Sequence, residues 1–219
     1  MRLFYVNFFL CILLLSCQDK KVTSNSSLKT THVDSPIAID SPIVMPDTVT
    51  QRASINSKQK LALTSNALQI VDGITGSTKE VPFGMTSDKL VPIVTNMLHS
   101  SPLSDGVNSE CGAGPLKMVL WTNGLSLVFQ ETKKGNGNWL FAGWFAGKPT
   151  TTGDRLMTMA GIGVGSSRKE LESAYVIKVN KTTLGVEFSV NSGFYGLLSG
   201  DGKQATIEAM WSGASCNFR

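Results

Sequence analysis

The chain has 219 residues, of which 42% are hydrophobic and 16% charged, and its formal net charge is +4 at pH 7. This charge is small for the length, and no cluster of Lys and Arg is interleaved with aromatic residues as a nucleic-acid surface requires. We therefore expect no nucleic-acid partner.

The N-terminal segment is apolar, short and closed by a cysteine. Arg2 supplies the basic start, residues 3–15 are almost wholly apolar, and Ser16 stands directly before Cys17. Such a run is too short to span a bilayer and has the order typical of a secretory signal. The sequence Leu-Leu-Ser-Cys resembles the bacterial lipobox, which implies a signal peptide over residues 1–16 and a lipid anchor on Cys17. An ordinary signal peptide, or a membrane helix with an incidental cysteine, is the alternative.

The lipobox resemblance also implies a location. The chain is expected in the bacterial cell envelope, held to a membrane through its N-terminal lipid and facing the periplasm or the exterior.

Residues 17–59 are rich in Ser, Thr, Asn, Asp, Lys and Pro, and they contain no Phe, Trp or Tyr. Such a segment cannot bury enough apolar surface to offset its ordering entropy. Residues 34–39 and 40–45 echo each other around Ser-Pro-Ile, and proline favours an extended backbone. We predict a disordered linker that spaces the folded part from the membrane. A short linear motif built on the Pro-Ile repeats is the alternative.

Two cysteines remain once the signal and the anchor are set aside, namely Cys111 and Cys216. Because an exported chain meets an oxidising environment, we predict a disulfide between them. Zinc would require four ligands, and the only histidines are His32 and His99. No metal or other cofactor is therefore expected.

The rest of the chain contains two similar segments, residues 81–90 and 162–171. Each places a glycine and then a Ser or Thr before an amphipathic run, as in a tight turn followed by a capped helix. In the second segment, Ser167 and Glu170 match the capping-box sequence. His99 is predicted to end the first helix, where a cation is favoured.

After each predicted helix the hydrophobic period changes to two, which is typical of antiparallel strands. The segment Thr122-Asn123-Gly124, with its Asn-Gly turn, is predicted to join the first two strands. The predicted strands are residues 116–121, 125–131, 138–146, 184–190, 194–198 and 204–211. Short strands at residues 68–71 and 156–162 are predicted to lead towards the two glycine turns. We predict an α+β fold of two tandem helix-plus-antiparallel-meander repeats, over residues 60–150 and 151–219.

The predicted unit, opened by Gly84-Met85-Thr86 in its first copy, resembles the repeat of the β-lactamase inhibitor proteins. It is similar also to the small β-barrel-assembly lipoproteins of the BamE/SmpA type. The resemblance covers roughly residues 81–211. It implies a non-enzymatic envelope protein that binds other proteins through its sheet and loops.

Catalytic motifs are incomplete. Residues 161–165 contain three glycines but lack the Gly-Lys-Ser/Thr of a phosphate-binding loop. Residues 166–169 satisfy S-x-x-K, but the companion motifs of penicillin-recognising enzymes are in the wrong order. A Ser-His-Asp or Cys-His site would have only His99 to use in the folded part. We predict that the protein is not an enzyme.

The two predicted meanders differ in the polarity of their faces. In the second, the predicted core set is Leu184, Val186, Phe188, Val190, Ile207, Ala209 and Trp211, opposite a polar face. In the first, the predicted core set is Met118, Leu120, Leu125, Leu127 and Phe129. The opposite face is then also apolar, with Val119, Trp121, Val128 and Trp144 or Trp139. We predict that Val119, Trp121, Val128 and Trp144 bind a protein. The alternative is that the second half or an N-terminal strand covers them.

Together these patterns predict a membrane-anchored envelope lipoprotein that acts as a non-catalytic protein-binding module, inhibitor-like or scaffold-like, with an envelope or secreted protein as partner. One alternative is a small-ligand carrier with an apolar pocket between the halves. The other is an envelope hydrolase with an unrecognised carboxylate site.

Overall fold

The structure is a computed structural model that describes residues 59–152 and 155–216, which contain twelve strands and two short helices. The first strands in chain order are β1 (Gln59–Leu63), β2 (Ala67–Asp72), β3 (Thr78–Pro82), β4 (Ser104–Asn108), β5 (Leu116–Leu120) and β6 (Leu125–Glu131). They are followed by β7 (Trp139–Ala146), β8 (Met157–Thr158), β9 (Ile177–Thr182), β10 (Gly185–Val190), β11 (Phe194–Leu198) and β12 (Ile207–Gly213). The helices are α1 (Ser87–Leu98) and α2 (Arg168–Ala174).

Contacts along the chain separate two units, residues 1–50 and residues 51–219. The first unit, which includes the predicted signal peptide, Cys17 and most of the predicted linker, lies outside the described residues. Gln59, the last residue of the predicted linker, is the first residue of β1.

The larger sheet has eight antiparallel strands in the order β4-β5-β6-β7-β12-β11-β10-β9. Two meanders, one on each side, meet at the pair β7 and β12. At this seam Met210 lies opposite Ala146, and Ser212 lies opposite Trp144. The last described strand in chain order therefore occupies a central position in the sheet.

The smaller sheet has the order β3-β2-β1-β8. Its β2–β3 hairpin turns where the carboxylate of Asp72 accepts hydrogen bonds from the backbone N–H groups of Ile74 and Thr75, at 2.9 and 2.8 Å. These bonds, with that from Thr75 the larger contribution, hold the pKa of Asp72 below its usual range. The short strand β8 pairs with β1 in parallel.

The main hydrophobic core lies between the two sheets. Leu63, Leu68 and Val81 of the smaller sheet pack in the same core as Leu127 and Phe129 of the larger sheet. The buried faces of both helices contribute to this core. The smaller sheet and both helices therefore pack on one face of the larger sheet, and we call the opposite face of the larger sheet its outer face.

Both predicted glycine turns are present, but only the second helix has a side-chain hydrogen bond at its N-cap. Gly84 and Gly165 have φ of 97° and 86°, and Thr86 and Ser167 are the N-caps of α1 and α2. In α2 the Ser167 N–H donates to Oε2 of Glu170 at 2.6 Å, while the Ser167 hydroxyl accepts from the Glu170 N–H at 3.2 Å. The capping box is confirmed.

The predicted α+β class of helix-plus-meander repeats is wrong, because the chain is mostly β. Among the described residues, strand accounts for 46% and helix for only 12%. Four strands outside the meanders build a second sheet: β2 and β8 overlap the predicted strands 68–71 and 156–162, whereas β1 and β3 were not predicted. Its edge strand β3 is largely exposed, so its sequence carries little of the apolar alternation that reveals a strand.

Candidate functional site

The four residues predicted to form a binding face lie in the interior. Val119, Trp121 and Trp144 belong to the main core and are at most 1% exposed. The smaller sheet covers them, and the indole Nε1–H of Trp144 donates to the carbonyl of Thr64, between β1 and β2, at 2.7 Å. Val128 is also buried, but it faces the other side of the sheet. These residues form no exposed face, and strands N-terminal to them provide the cover that was the alternative.

The length of one loop decides which side chains of β5 face the core. The Trp121 N–H donates to the carbonyl of Leu125 at 2.9 Å, and Gly124 has a φ of 86°. The β5–β6 loop therefore has three residues, numbers 122–124, with glycine at the position of positive φ. This register places Val119 opposite Leu127. A two-residue Asn-Gly turn would shift the register by one and reverse the faces of β5.

The outer face of the larger sheet is apolar across its centre. Alternation along the strands places the following residues on it: Leu116, Met118, Leu120, Val128, Leu140, Phe145, Tyr195, Leu197, Ala209 and Trp211. Towards β9 the same face becomes polar, with Lys178, Asn180, Thr182, Glu187 and Ser189. The outer face thus combines an apolar centre with a polar side.

Three aromatic residues lie side by side at this centre. Trp211 of β12 has Phe145 of β7 as its neighbour on one side and Tyr195 of β11 on the other. The rings of Tyr195 and Trp211 are stacked, with centroids 6.3 Å apart and planes 18° apart. Tyr195 is 40% exposed, whereas Trp211 is only 3% exposed. We call Phe145, Trp211 and Tyr195 the outer aromatic row.

A disulfide closes one end of the outer face. Cys111 and Cys216 are joined, with their Cα atoms 5.0 Å apart, and this prediction is confirmed. The pair packs with Leu116, Val128 and Ala214 in a small second core. The bond therefore holds the segment after β12 against the outer side of β5 and β6.

A second candidate site is an open cleft of about 860 Å³. It lies between the β1–β8 edge of the smaller sheet, the C-terminal end of α1 and the β5–β6 loop. Its apolar walls include Leu61, Leu98, Trp121, Leu156, Met157 and Met159. Ligand pockets usually measure about 300–1,000 Å³, so the cleft has the size of a small-molecule site.

Three basic residues, Lys60, His99 and Arg155, line the cleft within the part of the chain that the structure describes, which leaves out residues 153 and 154. Nη2 of Arg155 donates to the carbonyl of Val164 at 2.5 Å, which fixes the position of the guanidinium. Hydrogen bonds from the N-cap residue of α2, and after them the charge of Arg155, hold the pKa of Glu170 below its ordinary value.

Comparison of the chain with protein-family models, with curated proteins and with solved structures finds no match. Among the described residues, no helix has the length and apolarity needed to cross a bilayer. In the same part of the chain, no group of three or more His, Cys, Asp or Glu side chains is placed to hold a metal ion. What the protein binds is therefore inferred from its own two sites.

Proposed function

We propose that this protein is a lipid-anchored, non-catalytic protein-binding module of the bacterial cell envelope, with the outer aromatic row at the centre of its binding surface. The observation that carries the proposal is the alignment of Phe145, Trp211 and Tyr195 on three adjacent strands. Trp and Tyr are enriched among the residues that contribute most to protein interfaces.

The surroundings of the row support a protein as the partner. Interfaces usually have an apolar, aromatic centre and a polar rim. Here half-buried Leu197 lies beside Tyr195 on β11, half-buried Leu120 lies one strand beyond Ser126, the neighbour of Phe145, and exposed Asn180 and Thr182 lie at the polar side. A sheet face offers a broad surface, which suits a folded partner with a complementary apolar patch.

The anchor belongs to the same proposal and is supported by the lipobox sequence that ends at Cys17. The disulfide between Cys111 and Cys216 is typical of exported chains. We expect the partner to be an envelope or secreted protein, because lipidation would retain the module in that compartment.

Photo-crosslinking in cells tests this surface. A benzophenone amino acid in place of Tyr195, which is 40% exposed, should give a discrete adduct with one envelope protein. The same group in place of Asn180, an exposed residue at the polar side of this face, is the matched control and should give none. With the partner purified, Tyr195→Ala should weaken binding by roughly thirtyfold, as expected for a central aromatic residue. Its melting temperature should stay close to that of the wild type.

Fractionation of the same cells tests the anchor. Replacing Cys17 with serine should move the protein to the soluble fraction, because the acyl chains supply the membrane affinity. Unchanged membrane association would reject the anchor. Equal crosslinking at Tyr195 and Asn180, or an unaltered affinity of Tyr195→Ala, would reject the outer aromatic row as the binding surface.

A further inference from the structure

The larger sheet ends in an exposed edge strand on the side of the first meander. β4 (Ser104–Asn108) is the first strand of the order β4-β5-β6-β7-β12-β11-β10-β9, and β5 is its one partner among the described strands. Residues 104–107 are exposed. Val107 is 53% exposed, and Leu103, directly before the strand, is 58% exposed. This edge therefore presents apolar side chains beside unpaired backbone groups, a combination that favours the addition of another strand.

The other edge strands carry features that block such pairing. β9, at the far edge of the same sheet, has Lys178 and Lys181 and no acidic residue. In the smaller sheet, edge strand β3 has Lys79 and ends in Pro82, and β8 is only two residues long. Lysine, proline and short length each protect an edge from further strands. β4 contains neither lysine nor proline, so it is the most open of these four edges.

The pairing of β5 shows which backbone groups of β4 are free. The N–H of Trp121, directly after β5, donates to the carbonyl of Leu125, so the odd-numbered residues of β5 form hydrogen bonds with β6. Because the polar groups of successive residues in a strand point to opposite edges, the even-numbered residues of β5 bond to β4. Even-numbered residues of β4 lie opposite them. The N–H and C=O groups of Asp105 and Val107 therefore face the open edge.

We propose that β4 pairs with β4 of a second copy of this chain, antiparallel and centred on Gly106. In this register Asp105 lies opposite Val107 of the second copy, and the two residues exchange both backbone hydrogen bonds. The twofold axis repeats the exchange, so the free groups of both residues are used in both copies. Gly106 then lies opposite Gly106 of the second copy, at a position where Cα atoms are about 4.5 Å apart.

The charges at this edge suit a second copy. The carboxylate of Asp105 pairs with Nζ of Lys117 at 3.1 Å, and Lys117 lies opposite Val107 on β5. In the proposed register, Val107 lies between Lys117 of its own copy and Asp105 of the second copy. No lysine or carboxylate lies directly opposite its own kind. Pairing of two β9 strands would instead bring the lysines of both copies together.

Cysteine crosslinking in cells tests this register. Gly106→Cys has room for its side chain, because a Cβ at Gly106 would meet no atom beyond its chain neighbours within 4 Å. Ser104→Cys is the matched control on the same strand, since Ser104 would lie opposite Asn108 and about 13 Å from Ser104 of the second copy. We expect a mild oxidant to give about tenfold more disulfide-linked dimer with Gly106→Cys than with Ser104→Cys or the wild type, because only the first pair lies within disulfide reach.

A second pair of variants tests the hydrogen bonds of the edge. In the Gly106→Cys background, Val107→Pro removes the N–H that faces the second copy, whereas Val107→Thr keeps it and has a similar shape. We expect Val107→Pro to weaken dimerisation about tenfold, since two hydrogen bonds are lost per dimer, and Val107→Thr to leave it nearly unchanged. Resistance to proteolysis should show that both variants are folded.

Equal crosslinking of Gly106→Cys and Ser104→Cys would overturn the proposal, because it would show random collision of exposed thiols. Absence of a Gly106→Cys dimer, or an undiminished dimer with folded Val107→Pro, would overturn it as well. None of these variants changes the outer aromatic row, so the result is independent of the crosslinking at Tyr195.

Discussion

Two buried indoles on neighbouring parts of the larger sheet have different polar surroundings. Trp144 donates its Nε1–H to the carbonyl of Thr64 at 2.7 Å. The Nε1–H of Trp121 is buried and has no hydrogen-bond partner among the described residues. A buried donor without an acceptor costs about 1–3 kcal/mol. The two tryptophans therefore contribute differently to stability, although both rings are fully buried.

Replacing each of these tryptophans with phenylalanine should separate the two contributions. Both changes remove similar volume, but Trp144→Phe also removes a hydrogen bond and leaves the Thr64 carbonyl without this donor. We expect Trp144→Phe to lose about 1–2 kcal/mol more free energy of unfolding than Trp121→Phe, measured by chemical denaturation. Equal losses would show that the indole of Trp121 is hydrogen-bonded after all.

At the scale of single elements, the sequence predicted strand bounds and helix caps well, and the errors concerned which face of a strand its side chains occupy. The strands β6 and β11 have the predicted bounds, and the capping box at Ser167 and Glu170 is present. Alternation of period two and cap sequences are local properties, so one sequence can reveal them. The facing of β5 was mispredicted although residues 122–124 were predicted to join the strands, because a three-residue loop places Trp121 beside Leu125 on the core face and a two-residue Asn-Gly turn would not.

A register shift caused the second error in facing. Ile207 pairs with Leu198, but Ala209 pairs with Leu197, so Glu208 is an extra residue in β12. After this bulge, the side chain of Trp211 faces outward instead of joining the predicted core set. A bulge depends on pairing with a distant strand. Local periodicity therefore could not reveal the outer aromatic row. For the facing of β5, by contrast, glycine at the third position of the β5–β6 loop was a usable signal.

Glu170, in the capping box of α2, carries a carboxylate whose protonation should lower the stability of the protein. Hydrogen bonds from the backbone and hydroxyl of Ser167 lower the pKa of Glu170. A lowered pKa in the folded state adds stability that is complete above the unfolded-state value, near 4.5, and is lost as the pH falls through the folded-state value.

The matched change is Glu170→Gln, which keeps an acceptor at the capping position but removes the charge. We expect the melting temperature of Glu170→Gln to lie below that of the wild type at pH 7, with the difference shrinking below about pH 4. A difference that stays constant from pH 7 to pH 3 would show that the charge of Glu170 contributes nothing.

On the scale of the whole molecule, the sequence indicated six of the eight strands of the larger sheet but missed β4 and β9. It also indicated β2 and the segment that contains β8, but not that these strands join β1 and β3 in a layer that covers the larger sheet. The smaller sheet unites β1, β2, β3 and the distant β8. Its assembly depends on pairing between residues such as Ala62 and Met157, which no local pattern encodes. The residues predicted as a binding face belong to a sheet that is apolar on both faces, and the smaller sheet covers one of these faces.

The disulfide should contribute strongly to global stability because it closes a long loop. Cys111 and Cys216 are 105 residues apart, and the chain-entropy estimate for a loop of about 100 residues is up to about 4.7 kcal/mol. We expect the double variant Cys111→Ser/Cys216→Ser to unfold at clearly lower denaturant concentration, and reduction of the wild type to give the same midpoint. An unchanged midpoint would show that the bond adds no stability.

The central position of β12 determines the order in which the sheet can be completed. A chain that emerges with its N-terminal end first, from a ribosome or across a membrane, presents β7 long before its partner β12. Until residues 207–213 emerge, β7 has an open edge and the two meanders cannot join. Cys216 follows β12 closely, so the cysteine that completes the disulfide emerges directly after the strand that completes the sheet. The larger sheet therefore cannot be complete until its last strand in chain order has emerged.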